Sequence, residues 1–193
     1  MRTFKPRKKV CRVCSTAYMP IKPMQKVCGP LCAAQFAQSE RAKKERKQAA
    51  QERAETRRRL DDMKGVPELI READIAFCAY IRARDRLAGH TCISSGLPLD
   101  WSGNNVDAGH YRSRGAASHL RYDERNCHAQ SKHENRYKGG NIVEYRKRLI
   151  ERIGLADVED LEADNETHKW TREELIEKKK YFIAKRKELE KNK

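Results

Sequence analysis

VDAGHYRSRGAASHLRYDERNCHAQSKHENRYKGGN, residues 106–141, is the stretch on which the reading of this chain turns. Asp107 and His110 fall in one short extended segment. Asn126 opens a second, and Asn135 follows nine residues later in a turn or short helix, ahead of Gly139, Gly140 and Asn141. Around it, residues 88–140 are rich in glycine and histidine and carry no long periodic run. That composition predicts a loop-rich site region with a few short strands.

The flanks are helical. Leu69, Ala73, Phe77 and Ile81, with Ile70 and Tyr80 beside them, repeat at helical period between Glu68 and Arg84, and Pro67 suits the first turn. Cys78 within that helix reads as a packing residue. Ile142, Tyr145, Leu149 and Ile153 give a second amphipathic run, and Gly154 is a natural stop. Thr171 and Glu174 form a capping box that starts a last helix running to about Glu190. Residues 36–64 contain no Pro or Gly and lack a continuous apolar stripe. They read as a long solvated helix or a partly ordered linker.

The chain has 193 residues, enough for one modest domain with appendages or two very small ones. Charged residues make up 37%, aromatics 7%, and the mean hydropathy is −0.97, so much of the chain must be solvated. With no apolar run of roughly 18 residues and no secretory signal pattern, membrane and secreted classes fit poorly. The net charge is +15, and residues 1–32 carry eight Lys/Arg and no acid. A basic arm suits a polyanion, since phosphate contacts release condensed counterions. Lys8, Lys9 and Arg12 are its candidate DNA contacts.

Seven cysteines are present. Cys11, Cys14, Cys28 and Cys32 form C-x2-C-x13-C-x3-C inside the basic arm. Two close pairs in a chain without an export signal read as a structural zinc site, with four thiolates and no open coordination position. A segment of 35 residues needs such a staple to fold. Cys78, Cys92 and Cys127 stand alone.

The order His…Asn…Asn with these gaps is that of an HNH, or ββα-metal, nuclease. Phosphodiester cleavage needs a base for the attacking water and a divalent ion for the developing charge. His110 is the candidate base and Asn126 its positioning group. Asp107 and Asn135 offer hard oxygen donors for Mg²⁺ or Mn²⁺, with His128 as a spare ligand. Arg112, Arg114, Arg121 and Arg125 are the candidate phosphate grips.

The whole chain resembles the phage NinG (Rap) family of recombination endonucleases. The resemblance rests on CRVC at 11–14, RARDR at 82–86, HTCISSG at 90–96, DAGHYRSR at 107–114, LRYDERN at 120–126, GNIVEYR at 140–146 and LIERIG at 149–154. It implies a nuclease that cuts branched DNA such as Holliday junctions and D-loops in phage recombination. Free thiols, the missing signal and the family together place it in the bacterial host's cytoplasm. Junction selectivity calls for a shaped surface and a homodimer presenting two active sites, with other phage or host recombination proteins as partners. The resemblance further implies a second four-cysteine zinc site bracing the nuclease motif. Its positions here are Cys92, Ser95, Ser131 and Glu134, with a single thiol left. Either the fold stands without that metal, or Cys92 recruits Cys127, His128 or His133. The three-residue step from Asp107 to His110 is a further departure, since many HNH sites have the two adjacent.

The expected fold is α+β: a zinc-binding module (1–35), a charged helical linker (36–65), an HNH-like core (66–155) and a C-terminal helical segment (156–193). A non-catalytic DNA-binding recombination accessory protein and an RNA-binding zinc protein are the competing readings, and the charge pattern suits all three.

Overall fold

A computed structural model of the chain describes residues 6–191, so the first five residues of the basic arm lie outside it. The chain forms two compact units, residues 1–63 and 64–193.

In the first unit a two-stranded antiparallel sheet, β1 (Lys9–Val10) and β2 (Ala17–Tyr18), precedes one long helix, α1 (Pro30–Met63). Proline at the helix start suits a position whose N–H would go unpaired anyway. Cys32 lies in the first turn of α1, so helix and cysteine cluster are continuous and no break falls at residue 35. None of its 34 residues is buried. At 1.5 Å per residue α1 is about 50 Å long. It is the solvated helix that alternating charge and a missing apolar stripe describe, with i,i+3 and i,i+4 pairs such as Lys43–Glu40 and Arg59–Glu55 on its surface.

The second unit is a mixed α+β layer. Helix α2 (Val66–Leu87) packs between α5 (Arg172–Lys191) and a two-stranded antiparallel sheet of β3 (Val106–His110) and β4 (Cys127–Ser131). Leu69, Ala73, Phe77, Tyr80 and Ile81 of α2 bury against Leu175 and Phe182 of α5 and Tyr122. Phe77 meets Phe182 and Tyr122 edge-on at 4.8 and 5.7 Å, the geometry aromatic quadrupoles favour. A second core joins Ile93, Tyr111 and Leu120 to Tyr145 and Leu149 of α3 (Ile142–Ile153) and Val158 and Leu161 of α4 (Leu155–Ala163). Gly154, at φ 92°, ends α3 and begins α4 with a backbone conformation that suits glycine. The α5 start is a realised capping box: Thr171 N–H donates to Glu174 Oε2 at 2.8 Å, and Glu174 N–H to Thr171 Oγ1 at 3.3 Å.

Register fixes the site. His110 pairs with Cys127, Gly109 with His128 and Asp107 with Gln130. A Cβ on Gly109 would lie 2.0 Å from Gln130 Oε1, so only glycine lets the buried glutamine cross the strand there. Tyr145 OH donates to Gly109 O at 2.9 Å and ties α3 to the residue before His110.

Candidate functional site

A cleft of about 620 Å³ opens beside β3 and includes Asp107, His110, Asn135, Arg136, Arg82 and Cys78 in its lining. Asp107 and Asn135 meet: Asn135 Nδ2 donates to Asp107 Oδ2 at 3.0 Å. Asn135 sits on a π-helical turn, His133–Tyr137, a geometry frequent at functional positions. Arg136 from the same turn donates through Nε to Asp107 Oδ2 at 2.8 Å. Burial opposes ionisation of Asp107, but Arg136 and Asn135 outweigh it and hold the carboxyl below its usual range. Arg136 was not singled out from sequence; its one signal is that it follows Asn135 directly.

His110 closes β3 and faces the same cleft. Its Nε2 lies 3.0 Å from the carbonyl of Arg121. A carbonyl only accepts, so Nε2 carries the proton and Nδ1 keeps the lone pair. The Cys127 thiol lies 3.8 Å from Nδ1. Burial, followed by the Arg114 charge, pulls the imidazole below its ordinary pKa, and the Arg121 carbonyl and Asp74 only partly offset this. The ring is therefore neutral at pH 7.

Asn126 does not hydrogen-bond to His110; its side chain is used elsewhere. It is fully buried and fastens the loop that holds the imidazole. Its Oδ1 accepts from Arg112 N–H at 2.8 Å, and its Nδ2 donates to Arg112 O and Leu120 O, both at 3.1 Å. The residue after Leu120 supplies the carbonyl that His110 uses.

The four arginines picked from the sequence are engaged within the fold. Arg112 donates to Leu161 O and Asn165 Oδ1, each at 2.9 Å, and to Asp164 O. Arg114 and Arg121 share Asp74, each at 2.7 Å. Arg125 meets Asp123, Asp157 and Asp160 at 3.0 Å. Nor does the structure bring His128 to Asp107. His128 is buried, with Nε2 on Arg125 O at 3.1 Å and Nδ1 facing Arg84 at 3.0 Å and Arg152 at 3.3 Å. Both ring nitrogens are occupied, so it has no lone pair left for an ion. Burial and then the Arg84 charge lower its pKa to about 3.

In the first unit the ligand atoms of Cys11, Cys14, Cys28 and Cys32 all lie within 4.8 Å of one another. Cys14–Cys28 and Cys28–Cys32 are 3.6 Å apart. A tetrahedron with Zn–S bonds of about 2.3 Å has edges of about 3.8 Å, so the four thiols fit a zinc ion. Cys11 sits in a tight turn. Its N–H donates to Thr16 O at 2.9 Å, its carbonyl accepts from Ser15 N–H at 3.0 Å, and Cys28 N–H points at its sulfur at 3.4 Å. Ser15 there has φ 58°. Burial raises the Cys11 pKa, but N–H groups of Cys14, Val13 and Cys28 outweigh it and bring the thiol down to about 6. Lys8 and Arg12 are exposed, whereas Lys9 turns back onto Pro23 O at 2.7 Å.

Cys92 is buried in the second unit. Ser131 N–H points at its sulfur at 3.3 Å, Glu134 N–H donates to Ser131 Oγ at 3.3 Å, and Leu97 N–H donates to Ser95 Oγ at 3.3 Å. Glu134 is satisfied by Lys138 at 2.8 Å and Asn141 at 2.7 Å. Among the described residues the N-terminal cysteines are the one group of three or more His, Cys, Asp or Glu gathered for a metal, and none forms at Cys92.

A family model described as "Bacteriophage Lambda NinG protein" matches residues 3–192. Proteins named "Protein ninG" are similar along most of the chain. That of Escherichia phage 933W is 36% identical over 96% of this chain and 95% of its own length. That of Escherichia phage lambda is 35% identical, with the same coverage of 96% and 95%. The Salmonella phage P22 protein is 46% identical over 62% of this chain and 57% of its own length. No solved structure matches. Among the described residues no helix is long and apolar enough to cross a membrane.

Proposed function

Since the chain belongs to the NinG family of phage proteins, we propose that it is a metal-dependent endonuclease of the HNH type. It cuts branched DNA, Holliday junctions and D-loops, during phage recombination in the bacterial host's cytoplasm. The observation that carries this reading is the shared cleft. There a neutral imidazole, whose Nδ1 lone pair meets only the weak donor of the Cys127 thiol at 3.8 Å, stands with a carboxylate and an amide in mutual contact at 3.0 Å.

His110 takes the proton of the attacking water at Nδ1, while Nε2–H stays on the Arg121 carbonyl and fixes the tautomer. Asn126 acts through the backbone by holding the loop that presents that carbonyl. Asp107 and the Asn135 side-chain oxygen are the hard donors for Mg²⁺ or Mn²⁺, and such an ion, when bound, neutralises charge developing on the phosphate. Arg136 must yield at least part of its contact with Asp107 for that, and it is then free to meet a phosphate oxygen. The N-terminal cluster takes zinc as a structural ion and presents Lys8 and Arg12 to the DNA backbone. A homodimer would bring two such clefts to one junction, with other phage or host recombination proteins as partners.

Incubation with a labelled four-way junction in Mg²⁺, Mn²⁺ or EDTA tests this. Cleavage is expected only with the ion. His110→Ala should lose about 10²–10⁴ in rate with junction binding held within a few-fold, and a variant cutting at the wild-type rate overturns the assignment. The Arg136 lock on Asp107 favours a second reading, a junction-binding protein without catalysis. It predicts binding with no cleavage in either ion.

A further inference from the structure

A second cleft, of about 610 Å³, adjoins the first. One wall is a single face of α2, on which Ala79, Arg82, Ala83 and Arg86 recur at helical spacing. The other is the loop from Trp101 into β3. Two contacts join the clefts. Arg82 lines both, and Val106 lines this one while the next residue, Asp107, lines the other.

Its chemistry is that of a nucleotide-binding surface. The Arg86 guanidinium lies over the Trp101 ring, 5.9 Å from its centroid. The Arg82 and Arg86 guanidinium groups make no hydrogen bond or ion pair among the described residues, unlike those of Arg112, Arg114, Arg121 and Arg125, which are all engaged internally. A third arginine, Arg186, reaches Glu190 at 3.3 Å, the only carboxylate among the described residues lining the cleft. Ala79, Ala83 and Gly103, all small, line the same cleft as the indole. The volume suits a single small ligand. A paired base keeps its faces inside the helical stack and cannot meet the indole without being extruded.

We propose that Trp101, Arg82 and Arg86 form a subsite for one unpaired nucleotide of a DNA strand, next to the phosphate held at His110. Trp101 stacks on the base and the two arginines take its flanking phosphates. The subsite rests on the nuclease reading for its place beside a scissile phosphate. It makes splayed strands at a branch, rather than continuous duplex, the class of substrate this cleft accepts.

Binding is measured in EDTA, so it is scored whether or not the protein cuts. Oligo(dT) should quench the wild-type tryptophan emission, and a blunt duplex should not. Trp101→Phe keeps an aromatic face and should bind within a few-fold while losing the quench. Trp101→Ala should weaken oligo(dT) binding by about five- to 150-fold. Arg82→Ala and Arg86→Ala should each lower the salt slope by about one. Circular dichroism establishes that each variant is folded. A full quench in Trp101→Phe, wild-type affinity in folded Trp101→Ala, equal quenching by blunt duplex, or tighter binding of oligo(rU) than oligo(dT) each overturns the proposal. If neither ion supports junction cleavage but the EDTA results hold, the nuclease reading falls and the subsite stands. If the junction is cut and Trp101→Ala binds and cuts as wild type, the subsite falls and the nuclease reading stands.

Discussion

Cys92 occupies the same backbone turn as Cys11. In each the cysteine N–H donates to the carbonyl five residues on (Thr16 or Leu97), at 2.9 Å. In each its carbonyl accepts from the N–H four residues on (Ser15 at 3.0 Å, Gly96 at 2.8 Å). That fourth residue has positive φ in both, 58° and 70°. A backbone N–H from a distant segment points at each sulfur, Cys28 at 3.4 Å and Ser131 at 3.3 Å. The second unit thus repeats at Cys92 the backbone turn that carries Cys11 of the four-thiol cluster, and Ser95, Ser131 and Glu134 are the positions where the family resemblance implies further thiols.

Restoring those thiols should restore a metal. Ser95→Cys, Ser131→Cys and Glu134→Cys, made together, are expected to raise the melting temperature only when zinc is present. Zinc supplies on the order of 10 kcal/mol in small zinc peptides, and the gain here should be smaller because both hydrophobic cores of this unit are built from other residues. Loss of the Glu134 contacts to Lys138 and Asn141 should make the triple variant less stable than wild type in chelator. Equal melting with and without zinc means that the four side chains do not converge.

Metal analysis of the wild-type chain should give about one zinc. Cys28→Ser removes the thiol that touches both Cys14 and Cys32 at 3.6 Å, so zinc should be lost. Affinity for junction DNA should then fall, because Lys8 and Arg12 are no longer presented on one folded turn. Two zinc ions per chain, or unchanged affinity, would contradict this account.

Asn126→Ala leaves the Arg112 N–H and the Arg112 and Leu120 carbonyls without their buried partner. Three lost bonds at about 1 kcal/mol each predict a destabilisation of about 3 kcal/mol, read as a lower urea midpoint at unchanged slope. Cleavage at a temperature where the variant is folded should fall further than its folded fraction, because the Arg121 carbonyl that orients His110 is no longer fixed.

His128 sets a pH dependence. Its folded pKa, about 3, lies below the ordinary histidine value, so the unfolded chain binds the extra proton. Its contribution is complete above about pH 6.5 and declines by about 1.4 kcal/mol per pH unit below that, until pH reaches the folded value. Chemical denaturation between pH 7.5 and 4.5 should show falling stability, and His128→Gln should flatten the slope. An identical slope in the variant would place the titration elsewhere, with His110 and His90, also lowered by burial, the next to substitute.

Local physics made the helices legible. Leu69, Ala73, Phe77 and Ile81 are one buried stripe, and Thr171 with Glu174 announced α5 through a contact three residues long. Helix α4 lies almost wholly in the stretch expected to be helical (156–193), but with only Val158 and Leu161 buried it gives no periodic run from which to read its bounds. The meeting of Asp107 with Asn135 followed from the order of residue types along two strands and a turn. What the arginines do was not legible. Arg121 finds Asp74 and Arg125 finds Asp157, 47 and 32 residues away, and no local pattern records such a pairing. The binding character of Arg82 and Trp101 was hidden for the same reason, since tertiary packing alone puts them on one cleft.

The crossing of Gly109 by Gln130 constrains the routes by which this protein can change. Any side chain at 109 first collides with Gln130 Oε1, and that amide cannot swing aside, because its Nε2 is held by Ser94 Oγ at 2.5 Å and Gly140 O at 2.6 Å. Shortening residue 130 removes the obstacle and leaves only its Cβ, 3.2 Å from the new methyl. The two positions are therefore coupled, and a substitution at 109 is relieved by shortening the side chain at 130.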